Sequence, residues 1–101
     1  MHFLLIYDFV PDYLSLRPAH RAEHLRLAWQ AHERGELVLG GALAEPVDAA
    51  ILLFQGADDQ AARAFAAGDP YVKAGLVRSW SVRPWTTVVG ALAATPVRTV
   101  T

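Results

Sequence analysis

The chain has 101 residues, a formal net charge of −1 and no cysteine. This length suits a single domain with one core, and the mixed charges provide no basic stripe for binding nucleic acid. The lack of cysteine excludes disulfides, thiolate zinc sites and a cysteine nucleophile.

The first half of the chain predicts a strand, a helix and a second strand. Residues 3–9 are apolar and aromatic, as in a buried strand, and residues 11–13 form a connector. The pattern becomes helical over residues 18–34, and Gly35 provides a helix stop. The helical stripe that we expect to face the core consists of Leu25, Ala28, Trp29 and His32. The strand at residues 36–43 follows, and the pair Gly40-Gly41 indicates either a bulge or a close backbone approach.

The second half predicts a strand, a helix, a helical turn and a last strand. Residues 50–54 are a strand that forms a hairpin with its predecessor. Asp58 or Asp59 caps the next helix, and Asp69 caps a short turn that ends at Gly75. The inward positions of the helix that begins at Asp58 or Asp59 are Ala62, Phe65 and Ala66. Residues 76–83 alternate as a strand, Pro84 limits this strand, and the tail from residue 91 to 101 is unpatterned.

The resulting order, β-α-β-β-α-β, is that of an α+β ferredoxin-like fold with an antiparallel sheet. Helices cover one face of such a sheet, and this sequence offers no third layer for the other face. We therefore expect a homodimer in which two sheets pack face to face. The domain spans residues 1–89, and the tail, 90–101, is either disordered or docked on the partner subunit.

Two side chains stand out as candidates for chemistry. His24 flanks the predicted core stripe, and histidine is the side chain whose ordinary pKa lies nearest neutrality. It is either a general base in a cleft or a boundary residue that bonds a neighbouring group. Asp69 precedes Pro70, the pattern of a helix cap, and a carboxylate can both cap a helix and orient an imidazole.

Other motifs indicate no metal and no cofactor. The segment His20-Arg21-Ala22-Glu23-His24 matches the H-x-x-E-H zinc-protease pattern, but no further ligand is evident. Weak binding of a divalent ion through the two histidines stays open. The glycine pair Gly40-Gly41 is not followed by a helix, which excludes a phosphate loop. Tyr7 and Tyr71 are candidates to line an aromatic pocket, whereas Trp80 and Trp85 are expected in the core or an interface.

The order of several short motifs is informative. They are Arg21-x-x-His24-Leu25, Gly35-Glu36-Leu37-Val38, Asp69-Pro70-Tyr71-Val72, Gly75-Leu76 and Val82-Arg83-Pro84-Trp85. In the order and spacing of these motifs, the chain resembles the YciI-like (YCII-related) family of small bacterial proteins. The resemblance runs from residue 3 to about residue 89, and the tail lies outside it.

The resemblance implies a ferredoxin-like fold that pairs as a dimeric α/β barrel, with a His–Asp pair as the active site. The histidine of its motif falls on His24, the aspartate on Asp69 and the arginine on Arg21. We expect Arg21 to bind substrate together with the two candidate pocket residues, Tyr71 and Tyr7. One branch of the family is similar to dehydrochlorinases of chlorinated hydroxyhydroquinones. Where relatives often carry Gly-Pro, this sequence reads Gly40-Gly41-Ala42.

Two functions follow as hypotheses. In the first, the protein is a cofactor-free enzyme whose His24 performs elimination or isomerisation on a small oxygenated ring compound. In the second, it is a non-catalytic dimeric module that binds a small molecule or assists another enzyme. A monooxygenase on the same barrel has less support. No apolar run approaches the ~20 residues of a membrane span, and the N-terminus lacks a signal-peptide pattern, so we expect a cytoplasmic protein.

Overall fold

The computed structural model describes residues 1–99, within which four strands form one antiparallel sheet. The strands are β1 (His2–Phe9), β2 (Leu37–Ala42), β3 (Ala49–Gln55) and β4 (Val77–Trp85). The helices are α1 (Tyr13–Leu16), α2 (Arg21–Glu33), α3 (Gln60–Gly68) and α4 (Pro70–Lys73), with a 3-10 turn at Arg17–Ala19.

The strand order β2-β3-β1-β4 confirms the predicted ferredoxin-like fold. β1 pairs antiparallel with both β3 and β4, and β2 and β3 form the hairpin between the two helical connections. This is the split βαβ arrangement, in which each connection passes over one intervening strand. The fold therefore brings α2 and the α3–α4 segment side by side on one face of the sheet.

The core lies between the sheet and these helices. Alternate residues of β1 point into it, and Phe3, Leu5, Tyr7 and Phe9 are all buried. From the other side α3 contributes Ala62, Phe65 and Ala66, which are buried as predicted. The alternate residues of the strand and the inner residues of the helix thus pack together in one apolar layer.

The opposite face of the sheet carries no helix within residues 1–99; its centre is apolar, and its β4 edge is polar, with Ser79, Ser81 and Arg83. The register aligns Leu39, Leu53 and Leu4 across β2, β3 and β1, and Ile51 beside Ile6 forms the neighbouring row. Leu39 is 63% exposed, whereas the other four side chains of these rows are half-buried. An uncovered apolar face of this kind is typical of an interaction surface.

The predicted core stripe of α2 is wrong by one position. Leu25 and Trp29 are exposed, and the inward side of the helix consists instead of His24, Leu27, Ala28 and Ala31. These positions have the same i, i+3, i+4, i+7 spacing, rotated by about 100° from the predicted stripe. The rotation moves His24 from the flank of the helix to its inner face.

Two local predictions also require correction. The predicted connector after Pro11 contains a helix, α1, whose Tyr13 is buried against the core. In β2 the register shift lies between Leu37 and Leu39, so the bulge is not at the glycine pair, where Gly40 instead makes the predicted close approach to β3. Both departures are local responses to packing, since a buried aromatic ring and an extra strand residue leave little trace in hydrophobic periodicity.

Two glycines end helices as predicted. Gly35 and Gly75 have φ of 80° and 82°, the left-handed conformation that favours glycine. Each N–H bonds back into its helix: Gly35 to the carbonyl of His32, and Gly75 to that of Val72. The following residue makes the longer bond of a Schellman motif in both cases, from Glu36 to Ala31 and from Leu76 to Tyr71.

The described part of the tail turns at Gly90 and returns along the residues that follow β4. Thr95 and Val97 donate backbone N–H bonds to the carbonyls of Thr87 and Val88. Residues 100 and 101, the end of the predicted tail, lie outside the described residues. The docking of the tail, residues 90–101, on a partner subunit stays a prediction. Within residues 1–99, every helix is too short or too polar to cross a membrane.

Candidate active site

Asp69 is the structural centre of the candidate site. It lies between α3 and α4, in extended backbone conformation, and its side chain is fully buried. One carboxylate oxygen, Oδ1, accepts the backbone N–H of Tyr71 at 3.0 Å, which makes Asp69 the cap of α4 as predicted. The other, Oδ2, accepts the hydroxyl of Tyr7 at 2.7 Å. These donors compensate the loss of water around the carboxylate.

The same carboxylate holds His24. The Nδ1 atom of His24 lies 2.9 Å from both oxygens of Asp69, across 45 positions of sequence. An ionised carboxylate only accepts hydrogen bonds, so Nδ1 carries the proton and the neutral ring keeps its lone pair at Nε2. Within residues 1–99, the hydrogen bonds of this ring involve Nδ1 alone. His24 is therefore oriented by an acid and has a basic nitrogen free.

Aromatic rings fix the plane of the imidazole. Tyr71 stacks on His24 with ring centroids 3.9 Å apart and planes 9° apart, and Phe65 meets the ring edge-on at 6.1 Å. Tyr71 is itself held by the Asp69 cap before it and the Gly75 stop after it. The side chain of His24 is only 14% exposed, so these contacts surround most of the ring.

Burial changes the acidity of both tyrosines at the site. It raises the pKa of Tyr71 to about 12, helped by the adjacent Tyr13 and opposed by the guanidiniums of Arg21 and Arg17. Burial, together with the charge of Asp69 and its hydrogen bond, also raises the pKa of Tyr7 above the ordinary value. Both phenols are therefore neutral at physiological pH. The Tyr7 hydroxyl acts as a donor to Asp69 and not as a base.

A cavity of about 410 Å³ opens beside His24, between α2 and strand β2. All four of the other predicted side chains belong to the site: Arg21, Tyr7 and Tyr71 line the cavity, and Asp69 lies behind His24. Neither Trp80 nor Trp85 belongs to the cavity lining: Trp80 packs against the core as expected, whereas Trp85 is 47% exposed within residues 1–99 and its place at an interface stays a prediction. A volume of this size suits a small ligand, and the walls are mostly apolar.

The glycine pair of β2 has a place in the cavity wall. A Cβ atom added to Gly40 would lie 3.0 Å from Cγ of Leu52, which is tighter than ordinary contacts. Gly41 has open space around the corresponding position. The wall at this point is therefore backbone, and Gly40 allows β2 to pass close to β3.

Sequence analysis did not identify several residues of the cavity wall. They are Tyr13, Arg17, Trp29 and His32, with Trp29 and His32 assigned instead to the core. The ring of Tyr13 stacks on Phe9 at 3.6 Å and carries the guanidinium of Arg17 at 5.6 Å from its centroid. The only signal for Arg17 was its i, i+4 spacing from Arg21, which a charged surface shows equally.

Arg17 and Arg21 give the cavity mouth a positive potential. In the described part of the chain neither has an acidic partner within ion-pair distance, whereas nearby Arg26 pairs with Glu23. Arg21 is also the first residue of α2, where the helix dipole disfavours a cation. Their charges remain available to an anionic group in the cavity.

Within the described residues, the side chains of the zinc-protease pattern do not come together as a metal site. Glu23 pairs with Arg26 on the exposed side of α2, and His20 lies outside the cavity lining. Among residues 1–99, no three side chains of His, Cys, Asp or Glu come together as metal ligands do.

Comparison with known proteins gives a family and a solved structure. The model of the YCII-related domain matches residues 1–86. The structure of 5-chloro-2-hydroxyhydroquinone dehydrochlorinase (TftG) from Burkholderia phenoliruptrix AC1100, in complex with 2,5-dihydroxybenzoquinone, superposes with a TM-score of 0.72. The two chains are 22% identical over 86% of this chain and 95% of the other. No curated protein matches the sequence.

Proposed function

This chain belongs to the YCII-related domain family, and from that premise we propose that it is a cofactor-free enzyme acting on a small oxygenated ring compound. His24 and Asp69 perform its general acid–base chemistry, either eliminating a leaving group or moving a proton within the ring. The residue order that carries the family resemblance also supplies both members of this pair.

One observation carries the proposal: His24 is fixed through Nδ1 on a buried carboxylate and lines a cavity, and its Nε2 has no hydrogen-bond partner among residues 1–99. This is the arrangement of a general base, since the acid selects the tautomer and stabilises the imidazolium that forms after proton transfer. Tyr71 and Phe65 restrict rotation of the ring, so the base is preorganised before a substrate enters.

The other predicted residues have separate roles. Arg21 neutralises a phenolate or carboxylate of the substrate, which its planar guanidinium suits. Tyr71 forms an aromatic wall of the cavity and Tyr7 contributes its ring. Because the Tyr7 hydroxyl is bonded to Asp69, its main contribution is to hold the acid.

The solved neighbour supports a cyclic, oxygenated substrate. Its name describes the removal of chloride from a hydroxyhydroquinone, and its structure holds a dihydroxybenzoquinone. Both are six-membered rings with several oxygens. A flat ring of this kind matches a cavity with aromatic side chains, two imidazoles and two guanidiniums on its walls.

The test is turnover by the wild type and by His24→Asn. Asn at position 24 keeps a donor near the Nδ1 position but has no basic nitrogen, so the contact with Asp69 survives. On chlorinated hydroxyhydroquinones, dihydroxybenzoquinones or small lactones that the wild type converts, we expect the variant to lose ~10²–10⁴-fold in rate. His20→Asn, outside the cavity, is the matched control. Turnover that survives His24→Asn would contradict the mechanism.

The alternative is a non-catalytic binding or accessory module, which the helix cap favours because capping alone explains the burial of Asp69. A wild type that binds these rings without converting any of them supports this alternative. In either case we propose that two copies pair through the sheet face that carries Leu39 and Leu53.

A further inference from the structure

His32 is a second imidazole on the wall of the same cavity. It lies in the last turn of α2, eight positions after His24, and its ring is exposed. Its Nδ1 atom lies 2.8 Å from the backbone carbonyl of Leu37, at the start of β2. A carbonyl only accepts, so Nδ1 is the donor, and Nε2 carries the lone pair of the neutral ring or the second proton of the imidazolium.

We propose that His32 is a second proton-transfer residue, which acts on the same bound ring as His24 from the other end of the cavity. The inference rests on the proposed function, because it requires a substrate whose proton His24 removes. It extends that function to a defined reaction class: tautomerisation of a six-membered ring that carries oxygens at opposite positions.

The ring of His32 is held in place on two sides. Trp29, which also lines the cavity, meets it edge-to-face with centroids 5.5 Å apart and planes 89° apart. The backbone below it is fixed by the helix stop, in which the N–H of Gly35 bonds to the carbonyl of His32. The orientation of the ring is therefore set before a ligand enters the cavity.

Spacing along α2 suits a ring compound between the two histidines. Eight residues correspond to about 12 Å along the helix axis and to a rotation of about 80°, so both positions lie on the cavity side. Two hydrogen bonds of about 2.8 Å leave room for one six-membered ring with oxygens at its two ends. Arg17 and Arg21 lie at the His24 end and Trp29 at the His32 end.

The proton balance is complete without a further reagent. Nε2 of His24 removes the proton from the oxygen-bearing ring carbon opposite a carbonyl, the C–H electron pair enters the ring, and the π pair of the carbonyl moves onto its oxygen. That oxygen takes a proton from Nε2 of the protonated His32. The ring is then an isomer of the substrate, and solvent removes one proton from His24 and returns one to His32, whose ring is exposed.

The first test uses wild-type protein and 2,5-dihydroxybenzoquinone as the probe. Ring signals of all four histidines are followed by NMR as the probe is added. We expect the signals of both His24 and His32 to move with one dissociation constant, while those of His20 stay in place. Movement of His24 alone would overturn the inference and leave the proposed function intact. If neither moves, both proposals fail.

The second test separates proton transfer from a structural contact. His32→Asn retains a side-chain donor for the Leu37 carbonyl but has no group that carries a proton at the Nε2 position. We expect kcat on a substrate converted by the wild type to fall ~10²-fold or more, with KM and melting temperature close to those of the wild type. If Asn restores the activity that His32→Ala loses, the residue only joins α2 to β2, and the inference is wrong.

Discussion

Tyr71 lies flat against the ring of His24, with centroids 3.9 Å apart, while its own backbone N–H bonds to the carboxylate that holds that histidine. Asp69 therefore determines the imidazole's position twice, through a direct hydrogen bond and through the residue that stacks on it. The candidate base and its support are one connected unit. A substitution of Asp69, Tyr71 or His24 should therefore also affect the other two residues.

Asp69→Asn separates the capping role of this residue from its charge. Asn caps helices about as well as Asp, so we expect the melting temperature to fall only slightly. The amide, however, can donate to Nδ1 of His24 and favour the tautomer protonated at Nε2. Turnover should fall by about 10²-fold or more, and ¹⁵N spectra should show the change of tautomer.

Asp59→Asn is a surface control for the loss of charge: Asp59 occupies the N-cap position of α3, makes no side-chain capping bond there and pairs with Arg63. A wild-type tautomer of His24 in Asp69→Asn, with unchanged turnover, would show that Asp69 is only a cap. A large loss of stability would show instead that the buried charge is itself a main determinant of folding.

Tyr7→Phe removes the hydroxyl that donates to Oδ2 of Asp69. A buried carboxylate that loses one donor is destabilised, and we expect a loss of ~1.5–3 kcal/mol in the free energy of unfolding. Urea denaturation measures it. In the double variant with Asp69→Asn the two effects should be clearly non-additive, because the residues are in direct contact. Additive losses would mean that the hydroxyl acts on something other than Asp69.

Stability should decrease in alkaline solution. The pKa of Tyr71 in the folded protein is raised from 10.0 to about 12, and that of Tyr7 is raised as well. A group whose pKa is higher in the folded than in the unfolded protein stabilises the fold at pH values below its unfolded-state pKa. This stabilisation is lost as the pH rises through its folded-state pKa. We therefore expect the free energy of unfolding to fall between about pH 10 and pH 12, with a shallower slope in Tyr71→Phe. If the free energy of unfolding falls equally steeply with pH in the wild type and in Tyr71→Phe, a group other than Tyr71 causes the loss of stability.

Leu53→Glu tests the pairing of two copies. Leu53 lies at the centre of the helix-free sheet face, next to Leu4 on one side and Leu39 on the other. We expect the wild type to show twice the 11.0-kDa mass of one chain by light scattering, and the variant to show the single mass, because a buried carboxylate without a partner is costly. Leu14→Glu, at an exposed position on α1, is the control. A monomeric wild type would refute the pairing.

The sequence by itself determined the fold class and both members of the His24–Asp69 pair. Strand alternation and helix periodicity are local properties, and so are the cap before Pro70 and the stops at Gly35 and Gly75. The ferredoxin-like order followed from the sequence of these elements. The family resemblance added the expectation that the histidine and the aspartate meet.

Only the tertiary structure decided which side of α2 faces inward. Leu25 and Trp29 are apolar enough for the core, yet the sheet packs against the neighbouring stripe, which places His24 inside and leaves Trp29 62% exposed. Likewise, His32 became a cavity residue only when the start of β2 supplied the carbonyl that binds its ring. The phase of a helix and contacts between distant segments depend on complementary packing of whole elements, and this information is not contained in any single segment of sequence.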